Sequence, residues 1–473
     1  MSYERSIPKM NRPKAPPPVG SALDLIGSTP MLELKALDAG ACRLFLKLEN
    51  QNPGGSIKDR IALSMIEAAE KDGSLAPGGV IVEATAGNTG LGLAEVAVPK
   101  GYKLILVVPD KMAREKILHL RALGVEVRLT RSDVGKGHPD YYQEIAAAIA
   151  RDTPGAVFVN QFENPANPAA HEQGTGPEIW EQLDGDVDAV VVGVGSGGTL
   201  TGLGRFFGRV SPKTQMILAD PVGSILAHYV ATGEITKVGS WAIEGIGEDF
   251  IPVNAQMDLV AKAFSIPDKE SIDTARLLLS REGILAGSST GTLLAAALRW
   301  CREQTEPKRV VTLACDRGDK YLTKVYNDLW VAAQGWSEEQ TRGVVSDLIG
   351  KRYREGGVET VRPEDTLLTA YSRMRSSDIS QLAVVEGGKL AGIIDESDVL
   401  SATAGHDDER DTGFGQPVRT AMTSHVRTLP ADAPMSALKP IFDRNEVAVV
   451  MDGDEFVGLI TRVDLINHLR LNS

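Results

Sequence analysis

The chain has 473 residues, more than one hydrophobic core supports, so several domains are expected. Its 42% hydrophobic content is that of a globular protein, and a formal net charge of -13 argues against nucleic acid or an anionic membrane as a partner. Three cysteines, Cys42, Cys301 and Cys315, are too few and too scattered for a disulfide framework or a zinc cluster, which fits reduced thiols in the cytoplasm and no metal centre.

Residues 1–20 carry charges and Pro16-Pro17-Pro18 but no apolar run, so they read as a flexible tail, neither signal peptide nor anchor. No stretch approaches the roughly 20 apolar residues of a spanning helix. From Leu23 to about Val331 short β-branched runs alternate with helical segments, the pattern of a doubly wound α/β architecture. Strands are predicted at Arg43–Leu48, Val80–Glu83, Leu104–Val108, Val125–Leu129, Val157–Asn160, Ala189–Val194, Met216–Ala219 and Val310–Ala314. Most are continuous apolar runs, as in strands covered on both faces. Ligands of such sheets bind beyond the carboxyl ends of the strands, so the loops that follow strands matter most.

The first of these, Asn52-Pro53-Gly54-Gly55-Ser56-Ile57-Lys58-Asp59-Arg60, sets a lysine between a glycine turn and a helix marked by Ile61, Met65, Ala68 and Ala69. The helix dipole and desolvation both disfavour an ammonium at Lys58. A neutral amine there could attack a carbonyl, as lysines do in holding pyridoxal phosphate. Taken alone, the position equally suits a surface lysine in a first helical turn. Next, Val80–Glu83 leads into Ala84-Thr85-Ala86-Gly87-Asn88-Thr89-Gly90, whose free backbone N–H groups suit a carboxylate or phosphate, or form a plain helix cap. Ala189–Val194 leads into Gly195-Ser196-Gly197-Gly198-Thr199, where three glycines let the backbone close on an anion and Thr199 adds a hydroxyl. This reads as a phosphate cradle. Gly193, Gly195 and Gly198 also fit a dinucleotide fingerprint, with Asp220, 22 residues after Gly198, as its ribose acid. Against nicotinamide binding, that unit lies deep in the chain and Lys58 has no part in hydride transfer. Gly287-Ser288-Ser289-Thr290-Gly291 precedes a helical run, and its hydroxyls could cap that helix or bond a heterocyclic nitrogen.

Beyond Val331 the texture changes. Residues 336–355 are charged and polar, as in a linker. An internal repeat follows: Gly392-Ile393-Ile394-Asp395-Glu396-Ser397-Asp398-Val399-Leu400 matches Gly458-Leu459-Ile460-Thr461-Arg462-Val463-Asp464-Leu465-Ile466, offset by 66 residues. The copies span about 356–404 and 416–473, each too small to bury a core alone, so a shared core is expected.

Together these motifs, in this order, resemble two families. Residues 21–335 resemble the fold type II pyridoxal phosphate enzymes of the cysteine synthase and cystathionine β-synthase group, which implies two doubly wound α/β subdomains. Residues 356–473 resemble the tandem CBS-domain pair, or Bateman module. The resemblance implies pyridoxal 5′-phosphate as cofactor, with Lys58 as its Schiff-base lysine. It implies Gly195, Ser196, Gly197, Gly198 and Thr199 on the phosphate, Asn88 on the ring hydroxyl and Ser289 at the ring nitrogen. Thr85, Ala86, Gly87, Asn88, Thr89 and Gln161, with Glu244 and Gly245, would bind substrate. Ala86 replaces a serine that many relatives carry. The tail lacks Cys and His, so no haem is expected.

The implied reaction is a β-replacement joining L-serine and L-homocysteine into L-cystathionine and water, with sulfide release from cysteine as a side reaction. Gln161-Phe162-Glu163-Asn164-Pro165-Ala166-Asn167-Pro168 looks more like the O-acetylserine sulfhydrylases. Asp220-Pro221-Val222-Gly223-Ser224-Ile225-Leu226 and Glu244-Gly245-Ile246-Gly247 look like the cystathionine β-synthases. A third reading makes the chain chiefly a sensor of an adenosyl ligand, with Thr461 and Asp464 as the nucleotide site and Asp398 their counterpart in the first copy. A homodimer or higher homo-oligomer is expected.

Overall fold

The computed structural model describes residues 17–85, 87–110, 114–131, 133–135, 137–336, 343–349, 352–404 and 413–471. The chain divides into two compact units, 1–321 and 322–473.

In the first unit the apolar runs become strands: β1 (Met31–Glu33), β2 (Arg43–Lys47), β3 (Val80–Ala84), β4 (Lys103–Pro109), β5 (Glu126–Thr130), β6 (Ala156–Phe158), β7 (Ala189–Val192), β8 (Gln215–Pro221), β9 (Val260–Ile266) and β10 (Arg309–Leu313). They build two sheets, ordered β1-β2-β10-β7-β8-β9 and β5-β4-β3-β6. All pairings are parallel except the antiparallel β1–β2. Strand β3 shows why its sequence is continuously apolar. Ile81 packs on one face with Ile61, Met65, Leu91 and Leu106, while Val82 and Ala84 pack on the other with Ile105, Val107 and Ala146. Each such aliphatic side chain taken from water contributes about 1.5–3 kcal/mol.

Strand order decides which loops meet. Neighbours β2, β10 and β7 run parallel, so the Lys58 stretch, the segment after Leu313 and the Gly195 turn all leave one sheet edge. In the other sheet β3 and β6 are neighbours, which brings the Thr85–Thr89 turn beside Gln161. The helix Lys58–Asp72 is pinned at its first turn by charge. Buried Arg60 donates to Glu49 at 2.7 and 2.8 Å and to Glu178 at 2.7 Å, and fully buried Lys47 donates to Glu178 at 2.7 Å. Burial alone would raise the Glu178 carboxyl, but Arg60 and Lys47 hold it down at about 2.

The second unit repeats itself. Strands β11 (Thr360–Val361), β12 (Gln381–Glu386) and β13 (Lys389–Asp395) form one three-stranded sheet, and β14 (Thr428–Pro430), β15 (Ala448–Asp452) and β16 (Glu455–Ile460) the other. Even the irregularity recurs 66 residues on, with register shifts at Val384/Val385 and Val450/Met451. Each copy is completed by the segment that precedes the other. Val344 bridges Pro434 and Val345 packs with Leu438, Ile441 and Phe442, while Thr366 bridges Pro417 and Val418 packs with Leu367 and Ala370. Val345 thus belongs to a core, although it lies in the stretch read from sequence as linker. Between the copies Ala383, Val385, Val449 and Phe456 share one apolar cluster. Among the described residues no helix is long and apolar enough to cross a membrane, and no group of three or more acidic, His or Cys residues could hold a metal.

Candidate active site

Lys58 opens its helix from a loop stitched to the segment after β10. Asn50 N donates to Ala314 O at 2.8 Å, Ile57 N to Cys315 O at 2.8 Å and Arg317 N to Gly55 O at 3.1 Å. Lys58 lines a cavity together with Asn88, Gly195–Thr199, Glu244, Gly245, Ser289 and Cys315. Its accessible surface faces that space. Desolvation pulls its amine below the ordinary lysine range, against the opposing pull of Cys315, Asp316 and Glu248.

The same cavity is lined by the glycine turn at the N-terminus of the helix Gly198–Val210. Gly197 has φ +86°, and a Cβ there would stand 2.6 Å from Ala255 N; a Cβ on Gly195 would stand 2.6 Å from Gly245 O. Only bare backbone lets this turn close while leaving its N–H groups toward the cavity. Behind it, Thr199 Oγ1 lies 3.3 Å from Nε2 of buried His171, whose Nδ1 is 2.9 Å from Thr175 Oγ1. Burial, then Arg60 and Lys58, hold His171 well below its usual range and neutral.

The turn after β3 meets Gln161. Thr89 Oγ1 donates to Gln161 Oε1 at 2.6 Å and Gly87 N to Thr85 Oγ1 at 3.2 Å. Asn167 Nδ2 reaches both Gln161 O at 2.8 Å and Ser196 Oγ at 2.9 Å, so one amide ties this turn to the glycine turn. Beneath it Glu83 is buried, and desolvation pushes its carboxyl up to about 8. A neutral acid leaves the positive potential of the turn uncancelled. Ala86 lies outside the described residues. Ser289 sits in the first turn of the helix Ser288–Arg302, and Ser288 Oγ accepts from Glu244 N at 3.1 Å.

Four further residues escaped the sequence reading. Asn88 Nδ2 donates to Asp316 Oδ2 at 2.7 Å, Lys320 Nζ to Asn88 Oδ1 at 2.9 Å and Tyr321 OH to Asp316 Oδ2 at 2.6 Å. Lys116 Nζ pairs with Glu244 Oε2 at 2.5 Å and lies 4.7 Å from the Tyr321 ring centroid. Asp316, Lys320 and Tyr321 follow β10, so the rule that ligand loops follow strands could have found them. Lys116, on a helix, left no such signal.

The nicotinamide reading fails on Asp220. It is fully buried, is pushed up to about 6 by desolvation, and accepts from Ala227 N at 2.8 Å at the start of a helix, without lining the cavity. Thr461, Asp464 and Asp398 lie in the second unit. Thr461 N and Oγ1 each donate to Asp464 Oδ2 at 2.7 Å, and Asp395 and Asp398 cap one helix reciprocally at 3.0 and 2.8 Å.

A lysine amine of lowered pKa that shares one cavity with a glycine turn at a helix N-terminus and with amide and hydroxyl groups fits a phosphorylated aromatic aldehyde. The donor set therefore suits pyridoxal phosphate. Residues 22–316 match the family model described as pyridoxal-phosphate dependent enzyme, and residues 345–405 and 418–471 match that of the CBS domain. The cystathionine beta-synthase of Apis mellifera is 40% identical over 317 residues, 66% of this chain and 62% of that protein. That of Oryctolagus cuniculus is 34% identical over 478 residues, 96% of this chain and 85% of that one. Cysteine synthase A of Escherichia coli (strain K12) is 42% identical over 309 residues, 64% of this chain and 94% of that one. The crystal structure of a hydrogen sulfide-producing enzyme from Fusobacterium nucleatum is matched with TM-score 0.60 and 36% identity, over 64% of this chain and all of that one. The chain belongs to the pyridoxal-phosphate dependent enzymes of the cystathionine β-synthase group, with fold type II architecture and a tandem CBS-domain pair.

Proposed function

We propose that the chain catalyses the β-replacement that joins L-serine and L-homocysteine into L-cystathionine and water. The observation that carries this is the pairing of the Lys58 cavity with the tandem module, a plan for which the relative from Oryctolagus cuniculus matches 96% of the chain. Pyridoxal phosphate, when bound, supplies the electron sink that makes the serine Cα–H acidic and lets the β-hydroxyl leave. Lys58 tethers it, and its freed amine takes the Cα proton and returns one to the departing hydroxyl, which requires the lowered pKa described above. The Gly195–Thr199 turn holds the phosphate. Thr85, Gly87, Thr89 and Gln161 hold the substrate carboxylate, and closure of that turn excludes water. Ser289 offers the ring nitrogen a hydroxyl and no negative charge. Glu244 and Gly245, across the cavity, face the incoming thiol.

Lys58→Ala is expected to abolish turnover and remove the visible absorbance of the tethered cofactor; wild-type turnover in that variant would refute the assignment. The run Gln161–Pro168 and the likeness to cysteine synthase A support a second reading, O-acetylserine plus sulfide. Rates with the two substrate pairs separate them. In the second unit an adenosyl ligand would fall on Thr461 and Asp464, because Asp395 in the first copy sets a carboxylate where a phosphate would lie. Calorimetry with AMP, ATP and S-adenosylmethionine tests it, and absence of heat with all three leaves the module a role in assembly. Three free cysteines suit a reducing cytoplasm.

A further inference from the structure

The side-chain amide of Asn88 is gripped by two groups of fixed polarity. Its Oδ1 accepts from Lys320 Nζ at 2.9 Å, and its Nδ2 donates to Asp316 Oδ2 at 2.7 Å. Lys320 also donates to Gly54 O at 3.2 Å. Both partners of the lysine are carbonyl oxygens, which can only accept, so it donates to them in either protonation state. Asp316 is buried against Gly287, where any Cβ would collide with its carboxylate, and Tyr321 OH holds the oxygen that faces Asn88 at 2.6 Å. Both clamping residues are themselves fixed. Lys320 is buried in the turn after β10, and Asp316 is bridged to Ser56 two residues before Lys58.

We propose that Lys320 and Asp316 are positioning residues that hold the Asn88 amide in one orientation, so that its second N–H, and not its carbonyl, faces the ring oxygen of the cofactor. This rests on the reading that Asn88, which lines the Lys58 cavity, lies against that oxygen. Flipping the amide would set carbonyl against carboxylate and NH2 against the lysine. The charge-assisted hydrogen bond to Asp316 would be lost and a carbonyl set against its carboxylate, a bias on the order of a hundredfold. The orientation matters because an N–H stabilises the ring oxygen as an anion, the form that absorbs visible light, whereas a carbonyl would drive a proton onto it and move absorption to the near ultraviolet. The clamp therefore couples the segment after β10 to the electronic state of the cofactor without touching it.

The test is the absorbance spectrum of full-length, cofactor-saturated protein without substrate, with titration of pyridoxal phosphate into the apo form. Wild type and Lys320→Arg, which keeps a donor toward Asn88, are expected to show the visible band. Lys320→Met and Asp316→Ala should move about half or more of it to the near ultraviolet and weaken cofactor retention on the order of tenfold. A merely structural role would not spare Lys320→Arg or move the band. If Lys320→Met does not fold, Asp316→Ala carries the same reading. Wild-type spectra in both Lys320→Met and Asp316→Ala would overturn the proposal. A wild-type protein with no cofactor band at all would overturn the functional reading beneath it.

Discussion

Glu83→Gln is the substitution whose effect can be worked furthest from the structure. Glu83 is the last residue but one of β3, with its side chain buried; Oε1 accepts from Gln161 N at 3.4 Å and Oε2 has no partner among the described residues. Desolvation raises its pKa from 4.5 to about 8. The folded protein therefore keeps this proton up to about pH 8, while the unfolded chain gives it up above about pH 4.5, so unfolding releases a proton throughout that window. Stability consequently falls as pH rises across it, by about 1.4 kcal/mol per unit, to a ceiling of about 5 kcal/mol above pH 8. Glutamine keeps the acceptor and cannot ionise. The variant is expected to match wild type to within a small pH-independent offset near pH 4.5 and to gain steadily from there to pH 8. Hydrogen exchange of the slowest amides in β3 and β4 reads this without assuming that both units unfold together. The ratio of protection factors, variant over wild type, should climb up to tenfold per pH unit and level off above 8. A ratio that stays flat from pH 5 to 8 would show that Glu83 is not held neutral, and the account of the turn above it would fail.

Other substitutions test the remaining walls of the site. Gly198→Ala drives a methyl into the Asn167 amide, which bonds both Gln161 O and Ser196 Oγ, so cofactor affinity should drop at least about tenfold by fluorescence titration of the apo protein. Thr89→Val removes only the hydroxyl that holds Gln161 Oε1; KM for serine should rise on the order of tenfold while the resting cofactor spectrum stays as in wild type. Lys47→Met removes a fully buried cation that donates to Thr29 O, Glu178 and Gln182, leaving Gln182 Oε1 without its donor and Glu178 with Arg60 alone, and should destabilise the first unit by about 3 kcal/mol, read as a loss of protection in β2.

Much of the molecule could be read from one-dimensional signals. Continuous apolar runs marked the covered strands, and glycine turns after strands marked the loops around the cavity. What escaped lacked that signature. Strand β9, Val260–Ile266, is an edge strand with exposed Ala261 and Ser265 and half-buried Lys262, so its sequence shows no unbroken run. Strand β1 is only three residues long. The clamp on Asn88 was illegible for another reason. That Asp316 and Lys320 follow a strand marks their loop, but not their contact with Asn88: only the adjacency of β10 to β2 turns them inward, where burial gives their charges meaning. Asp220 misled in the opposite direction, because a buried helix-capping acid and a ribose-binding acid look alike in sequence.

The most direct measurement is the absorbance spectrum of the purified, cofactor-loaded protein titrated with L-serine, followed by addition of L-homocysteine. The account predicts that serine alone shifts the visible band, that homocysteine restores it as L-cystathionine accumulates, and that Lys58→Ala shows neither change. A spectrum indifferent to serine but shifted by O-acetylserine and restored by sulfide would contradict it and make the chain a cysteine-forming enzyme.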